Sequence, residues 1–190
     1  MNKNKILIVV LMALIAGVIV YFTSQNKIEV MDGIQQVKIA SNSDFTFKTV
    51  NGKTIEVNVA DKEFHIKGMD DKIVFLKVFG WECKFCQKEI PELVKLKKEL
   101  GASFEVVAIE AQQHSDEISR QKIDEYGINY HIVSGANQKE FYAYLQEKYG
   151  WTGIIPLTIV VAKGGSVLAF ELGAKSYSLS ELMQASLLRD

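Results

Sequence analysis

Alternation between apolar and polar positions organises much of this chain beyond residue 44. Residues 45–50 and 53–59 place apolar side chains at every second position on either side of Asn51-Gly52, a pattern that predicts a β-hairpin. Residues 60–71 read as a short polar connection in which Phe64 and Ile66 are available for packing. Residues 73–79 form an apolar strand interrupted by Lys77. From Cys83 to about Leu100 the period changes: Ile90, Leu93, Val94, Leu96 and Leu100 recur at helical spacing. Pro91 is expected to kink that helix. Residues 104–109 have the short continuous apolar core of a parallel strand covered on both faces. Ser115 is placed to cap a helix over 116–126, residues 130–133 suit a short strand, and 137–149 suit a helix ending at Gly150. Residues 157–161 and 166–170 flank Gly164-Gly165 as a second hairpin, and Ser180 is the expected cap of a last helix over 181–188. The order predicts an α/β fold, a mixed central sheet with helices on both faces.

One stretch obeys neither period. Residues 6–22 carry no charge and follow Lys3 and Lys5. A core helix and a cleaved signal peptide are alternatives, but a signal peptide wants a shorter apolar core and small residues where Val20-Tyr21-Phe22 stand. The favoured reading is a single membrane anchor, at the short end of the about 17–25 residues that span hydrocarbon. The lysines keep the N-terminus in the cytoplasm and place the rest in the periplasm or on the outer face of a bacterial cytoplasmic membrane. The expected organisation is therefore an anchor or uncleaved signal over 1–25, a polar tether over 26–43 and one domain over 44–190. The formal net charge is −1 with no basic block, which argues against nucleic acid as a partner.

The chain has two cysteines, Cys83 and Cys86, at the junction between the apolar strand and the long helix. A bridge across two residues closes too small a loop to stabilise much, and a structural zinc site usually takes four ligands. His65, His114 and His131 are scattered. A redox dithiol without a further cofactor is the favoured reading. Cys83, in the helix's first turn, would have its thiolate stabilised by unpaired backbone N–H groups, and is the expected nucleophile. Cys86, one turn deeper, is the expected resolving thiol. Lys84 favours the thiolate and Glu82 opposes it. Phe85 is expected beside the dithiol, as a cover on the helix start or as a docking surface for partner proteins.

The run Phe79-Gly-Trp81-Glu-Cys83-Lys-Phe-Cys86-Gln-Lys-Glu-Ile-Pro91, together with Gly153-Ile-Ile-Pro156, resembles the thioredoxin superfamily. The likeness is to its membrane-anchored extracytoplasmic branch related to TlpA, ResA and CcmG, and runs from about Phe45 to Leu188. It implies a thioredoxin-like sheet with an extra N-terminal hairpin and a βα-type insert. It also implies a cis bond before Pro156, packed against the dithiol, and a backbone contact from Ile155 to an extended substrate. The implied activity is thiol–disulfide exchange, reducing disulfides of partner proteins with electrons from a membrane donor, in roles such as c-type cytochrome assembly.

This chain departs from that pattern in places. Many relatives have tryptophan immediately before the first cysteine; here Glu82 stands there and Trp81 one residue earlier, to shield the disulfide or meet substrate. Lys77 occupies the position of a buried, proton-handling aspartate. Either its stem is buried with the amine snorkelling to the edge, or a weakened amine faces Cys86. Glu110, at the end of its strand, and Glu105 are further candidates for proton handling. The stretch 149–156 is one residue longer than the usual pattern, which bears on what Ile154 touches. Competing functions are an oxidase or isomerase, a copper-delivery module using both cysteines and a distant histidine such as His131, and a peroxidase. The last needs an arginine near the nucleophile, and the chain has only Arg120 and Arg189.

Overall fold

The computed structural model describes residues 42–60 and 62–188. The expected anchor, its apolar run 6–22 and nearly all of the tether lie outside the described residues. Among those residues, no helix is long and apolar enough to cross a membrane.

The N-terminal hairpin belongs to a three-stranded antiparallel sheet. β1 (Asn42–Lys48) pairs with β2 (Thr54–Ala60), setting Phe45 opposite Val57 and Phe47 opposite Ile55. β3 (Glu63–Ile66) then pairs with β2. The polar connection expected over 60–71 is thus corrected at 63–66, where Phe64 and Ile66 are the buried side of a strand. Four residues supply only two apolar positions, too short a pattern to distinguish strand from packed loop.

The second sheet contains β4 (Ile73–Phe79), β5 (Phe104–Glu110), β6 (His131–Val133), β7 (Leu157–Val161) and β8 (Val167–Leu172), in the order β6-β5-β4-β7-β8. β4, β5 and β6 are parallel; β7 is antiparallel to β4, and β8 to β7. α1 (Lys84–Leu100) follows β4, α2 (Asp116–Tyr126) follows β5, α3 (Lys139–Tyr149) follows β6 and α4 (Leu179–Leu187) follows β8. This is the expected thioredoxin-like α/β architecture, with the extra antiparallel hairpin in a sheet of its own.

Two local features concern the helices, and the second changes an expectation. α1 continues through Pro91, whose ring lies at an exposed position. α4 is capped by Ser178, two residues before Ser180. The Ser178 hydroxyl accepts from the Glu181 N–H at 3.1 Å while the Glu181 carboxylate accepts from the Ser178 N–H at 2.7 Å. The reciprocal bonds of this Ser-x-x-Glu box satisfy two otherwise orphaned donors, which a serine at 180 could not do alone.

Pleating sends alternate strand residues to opposite faces. Val74, Leu76 and Val78 pack on one face with Phe45 and Phe47 of β1 and with Phe141, Tyr144 and Leu145 of α3. Phe45 and Phe47 meet the Phe141 ring edge-on at centroid distances of 5.1 and 5.0 Å. Such pairs contribute about 0.5–1.5 kcal/mol beyond buried area. Ile73, Phe75 and Phe79 turn the other way and pack with Cys86, Ile90, Leu93 and Leu96 of α1 and Leu179, Leu182 and Met183 of α4. Lys77 shares this second face by alternation, so the strand carries an ammonium beneath α1.

Candidate active site

Cys83 and Cys86 form a disulfide with Cα atoms 5.2 Å apart. Cys83 is the N-cap of α1, with extended backbone (φ −85°, ψ 107°), and its sulfur accepts from the Cys86 N–H at 3.2 Å. An N-cap sulfur lies among the free N–H groups of the first turn, where negative charge is favoured. Cys83 is half-buried, whereas Cys86 is only 2% exposed and belongs to the core beneath α1. The two sulfurs therefore differ in access, in the sense required for a nucleophile and a resolving thiol.

The neighbouring side chains divide into a surface and a floor. Phe85 is 52% exposed in the first turn of α1, with the Lys88 ammonium 5.7 Å from its ring centroid. Trp81 is buried at 3% exposure. Its Nε1 donates to Ser119 Oγ at 3.1 Å, and its ring meets Phe79 edge-on and stacks on Tyr126. The Ile155–Pro156 bond is cis. Pro156 is buried, while Ile155 and Cys83 both pack against the cluster that contains Cys86 and Trp81. Ile154 is exposed, and its carbonyl accepts from Trp151 Nε1 at 2.8 Å.

Lys77 does not snorkel. It is 2% exposed, and its Nζ donates to Glu89 Oε2 at 2.9 Å and to the Thr158 hydroxyl. Glu89 Oε1 accepts from Lys175 Nζ at 3.0 Å, and the Lys175 side chain is 4% exposed. One carboxylate thus serves two buried ammonium groups. Burial outweighs the attraction of Glu89, and with repulsion from Lys175 it holds the Lys77 pKa down to about 8. Glu89 is three residues beyond Cys86, one turn further along α1. Its neighbour Glu92 accepts from the Leu179 N–H at 2.8 Å, joining α1 to the start of α4.

Glu110 is fully buried at the end of β5. Its carboxylate accepts from the backbone N–H groups of Gln112 and His114, both at 2.9 Å, and Oε1 lies 3.3 Å from His114 Nδ1. The Tyr142 phenol is pushed up by its burial and by the charge of Glu110. Gly135 comes so close that a Cβ there would lie 2.2 Å from the Glu110 carbonyl oxygen. Glu105, at the other end of β5, accepts from the Val106 N–H and pairs with Lys97 at 3.2 Å.

His131 lies 3.3 Å from Lys53 Nζ and 3.9 Å from Glu105, and its pKa is lowered, chiefly by burial. Among the described residues, no group of three or more His, Cys, Asp or Glu side chains is arranged to hold a metal ion. Arg120 donates to the Val50 carbonyl at 2.9 Å and to Glu117 at 3.0 Å; Arg189 lies outside the described residues.

The AhpC/TSA family model matches residues 40–170, more than half of the 190-residue chain. The chain belongs to the AhpC/TSA family. It is 27% identical over 180 residues to the thiol-disulfide oxidoreductase ResA of Bacillus thuringiensis (strain Al Hakam), covering 93% of this chain and 92% of ResA. Its fold is similar to that of a thioredoxin family thiol:disulfide interchange protein from Chlorobium tepidum TLS. That match has a TM-score of 0.57 and 19% identity over 76% of this chain and 92% of the other. StoA from Bacillus subtilis gives a TM-score of 0.54 at 15% identity, covering 76% of this chain and 96% of StoA. This AhpC/TSA family member is thus a thioredoxin-fold oxidoreductase with a redox-active cysteine pair, related at family level to ResA-type proteins.

Proposed function

We propose that the protein is an extracytoplasmic, membrane-anchored thiol–disulfide oxidoreductase that reduces disulfides of partner proteins. The observation that carries this reading is the asymmetry of the dithiol: Cys83 is accessible and caps α1, while Cys86 is buried behind it. The Cys83 thiolate attacks one sulfur of the substrate disulfide. That bond breaks, a mixed disulfide forms, and the first substrate sulfur leaves as a thiolate and is protonated. Cys86 then loses its proton and attacks Cys83 Sγ. The second substrate sulfur departs, and the Cys83–Cys86 bond re-forms. Two electrons pass to the substrate, which ends as two thiols.

Phe85, Ile155 and Pro156 supply the substrate surface in this scheme, and Trp81 shields the pair from within the core. Lys77, when neutral, takes the proton of Cys86, with Glu89 stabilising the resulting ammonium. Glu110 acts on the Cys83 side. The anchor over residues 6–22 holds the domain at the outer face of the membrane, where a membrane thiol–disulfide donor restores the dithiol. The sequence resemblance supports the reducing direction, with c-type cytochrome assembly as the destination of the reduced cysteines; the ResA relative supports thiol–disulfide exchange as the activity.

A second reading, an oxidase or isomerase, has an observation of its own. The group Lys77–Glu89–Lys175 carries two cations and one anion one turn from Cys86, and positive charge favours thiolates. The potential of the full-length protein decides direction. A value well below roughly −200 mV is expected for the reductase, and one near about −120 mV would assign an oxidant. In Cys86→Ala protein, partner proteins should accumulate as mixed disulfides through Cys83. Their absence would overturn the exchange mechanism itself.

A further inference from the structure

Residues 111–114 lie as a strap along the chain leading into the dithiol. The Ala111 N–H donates to the Phe79 carbonyl at 2.8 Å, and the Glu82 N–H donates to Gln112 Oε1 at 2.8 Å. Gly80 allows this approach, because a Cβ there would overlap the Gln112 side chain. His114 closes the strap. Its Nδ1 is 3.3 Å from Oε1 of buried Glu110, and its Nε2 is 3.4 Å from Oε1 of Glu82, the residue immediately before Cys83. Gln113, between the two N–H groups that bind Glu110, has φ 60°, so backbone strain is accepted where this carboxylate is gripped.

The chemistry of the ring follows from its two neighbours. Ionised carboxylates only accept hydrogen bonds, and an imidazole has N–H on both nitrogens only when it carries the second proton. His114 can therefore donate to Glu110 and Glu82 together only as the imidazolium. Then the three groups sum to one negative charge beside Cys83. With a neutral ring they sum to two, and one ring lone pair faces a carboxylate. Negative charge near a thiol disfavours its ionisation. Glu110 in turn faces Tyr142 from α3, a phenol whose burial and carboxylate neighbour keep it protonated.

We propose that His114 is a positioning residue for the nucleophile, an imidazole clamp between Glu110 and Glu82 that favours the thiolate of Cys83. The proposal rests on Cys83 being the attacking sulfur. It assigns His114 no contact with substrate; the ring acts through Glu82 and the strap. The proton released by Cys83 goes to solvent, and the imidazolium compensates the carboxylate that would otherwise oppose the thiolate.

The test is the rate of Cys83 alkylation by iodoacetamide against pH, in full-length Cys86→Ala protein. His114→Gln should move the profile to higher pH, lowering the rate at pH 6 by about threefold to tenfold while the alkaline plateau holds. Glu82→Gln should move it the opposite way. The effect of His114→Gln should be largely lost in the Glu82→Gln background. A His114→Gln profile that coincides with the parent, or an equal shift in both backgrounds, would overturn the proposal. If His114→Gln does not fold, His114→Lys decides, since it retains a cation: a parent-like profile is expected, and one displaced to high pH would overturn the assignment. Failure of the exchange mechanism looks different. There Cys83 would trap no partner protein, whatever the alkylation profile.

Discussion

Two carboxylates lie near the dithiol, half-buried Glu89 and buried Glu110, and they are met by different partners. Glu89, on the Cys86 side, holds the ammonium groups of Lys77 and Lys175. Glu110, on the Cys83 side, is met by two backbone N–H groups and the imidazole of His114. The first arrangement fixes positive charge near the hidden sulfur. The second holds its carboxylate with neutral backbone donors and an imidazole that also reaches Glu82, the residue before the accessible sulfur. The difference teaches that the two sulfurs of one cysteine pair are provided with separate electrostatic surroundings.

Removing Glu89 is the severest way to break this contrast. Glu89→Ala leaves two buried ammonium groups unpaired and should cost about 3–5 kcal/mol in chemical denaturation. A loss below about 1 kcal/mol would mean that water replaces the carboxylate as partner of the two ammonium groups. Lys77→Met should act in the opposite direction. It leaves Glu89 paired with Lys175 and should hold or raise stability at pH 7 by about 1–3 kcal/mol, while lowering the reduction potential. An unchanged potential would detach Lys77 from the redox chemistry.

The same residue predicts a pH dependence. Its ordinary pKa is 10.5 and its value in the fold is about 8. Between these limits the unfolded chain retains a proton that the folded protein has released, so the contribution of Lys77 to stability rises with pH. Below about pH 8 both states are protonated and the contribution is flat. Any advantage of Lys77→Met over the parent should therefore shrink from pH 8 to 10.5. An advantage that stayed constant across this range would contradict the weakened ammonium.

On the other side, Glu110→Gln keeps one accepting oxygen but loses charge-assisted bonds, and should cost about 1–2 kcal/mol. It should also abolish much of the effect of His114→Gln on Cys83 alkylation. The smallest expected change is that of Lys175→Met. Relieved of its like-charged neighbour, Lys77 should release its proton above pH 8 and narrow the window of rising stability. A stability profile identical to the parent's would show that the two lysines do not sense each other.

The chain displays some of this openly and hides the rest for physical reasons. Strand and helix periods around residues 73–100 place Cys83 at the helix start and Lys77 on a strand, because both facts are local. The partners of Lys77 are not local: Glu89 approaches from the helix above, and Lys175 from the segment before α4. Alternation does put Lys77 on the face of Phe75 and Phe79, and this signal alone argues against snorkelling to an edge. His114 leaves no pattern, since its relation to Glu82 arises only when the strap folds against the β4–α1 junction. β3 is obscured by its brevity. The cap of α4 was readable as Ser178-x-x-Glu181, which competes with the plausible but isolated Ser180.

The fastening of the last segment to α1 has a consequence for durability. Glu89 grips Lys175, and Glu92 grips the backbone of Leu179, so one helix edge holds the chain on both sides of residues 176–178. Transient opening of this segment withdraws one cation from the Cys86 side while the hydrogen-bonded strands at the centre of the sheet persist. The redox setting therefore has a lower threshold for failure than the scaffold. A heated or proteolytically nicked sample should drift in potential before it loses its circular dichroism.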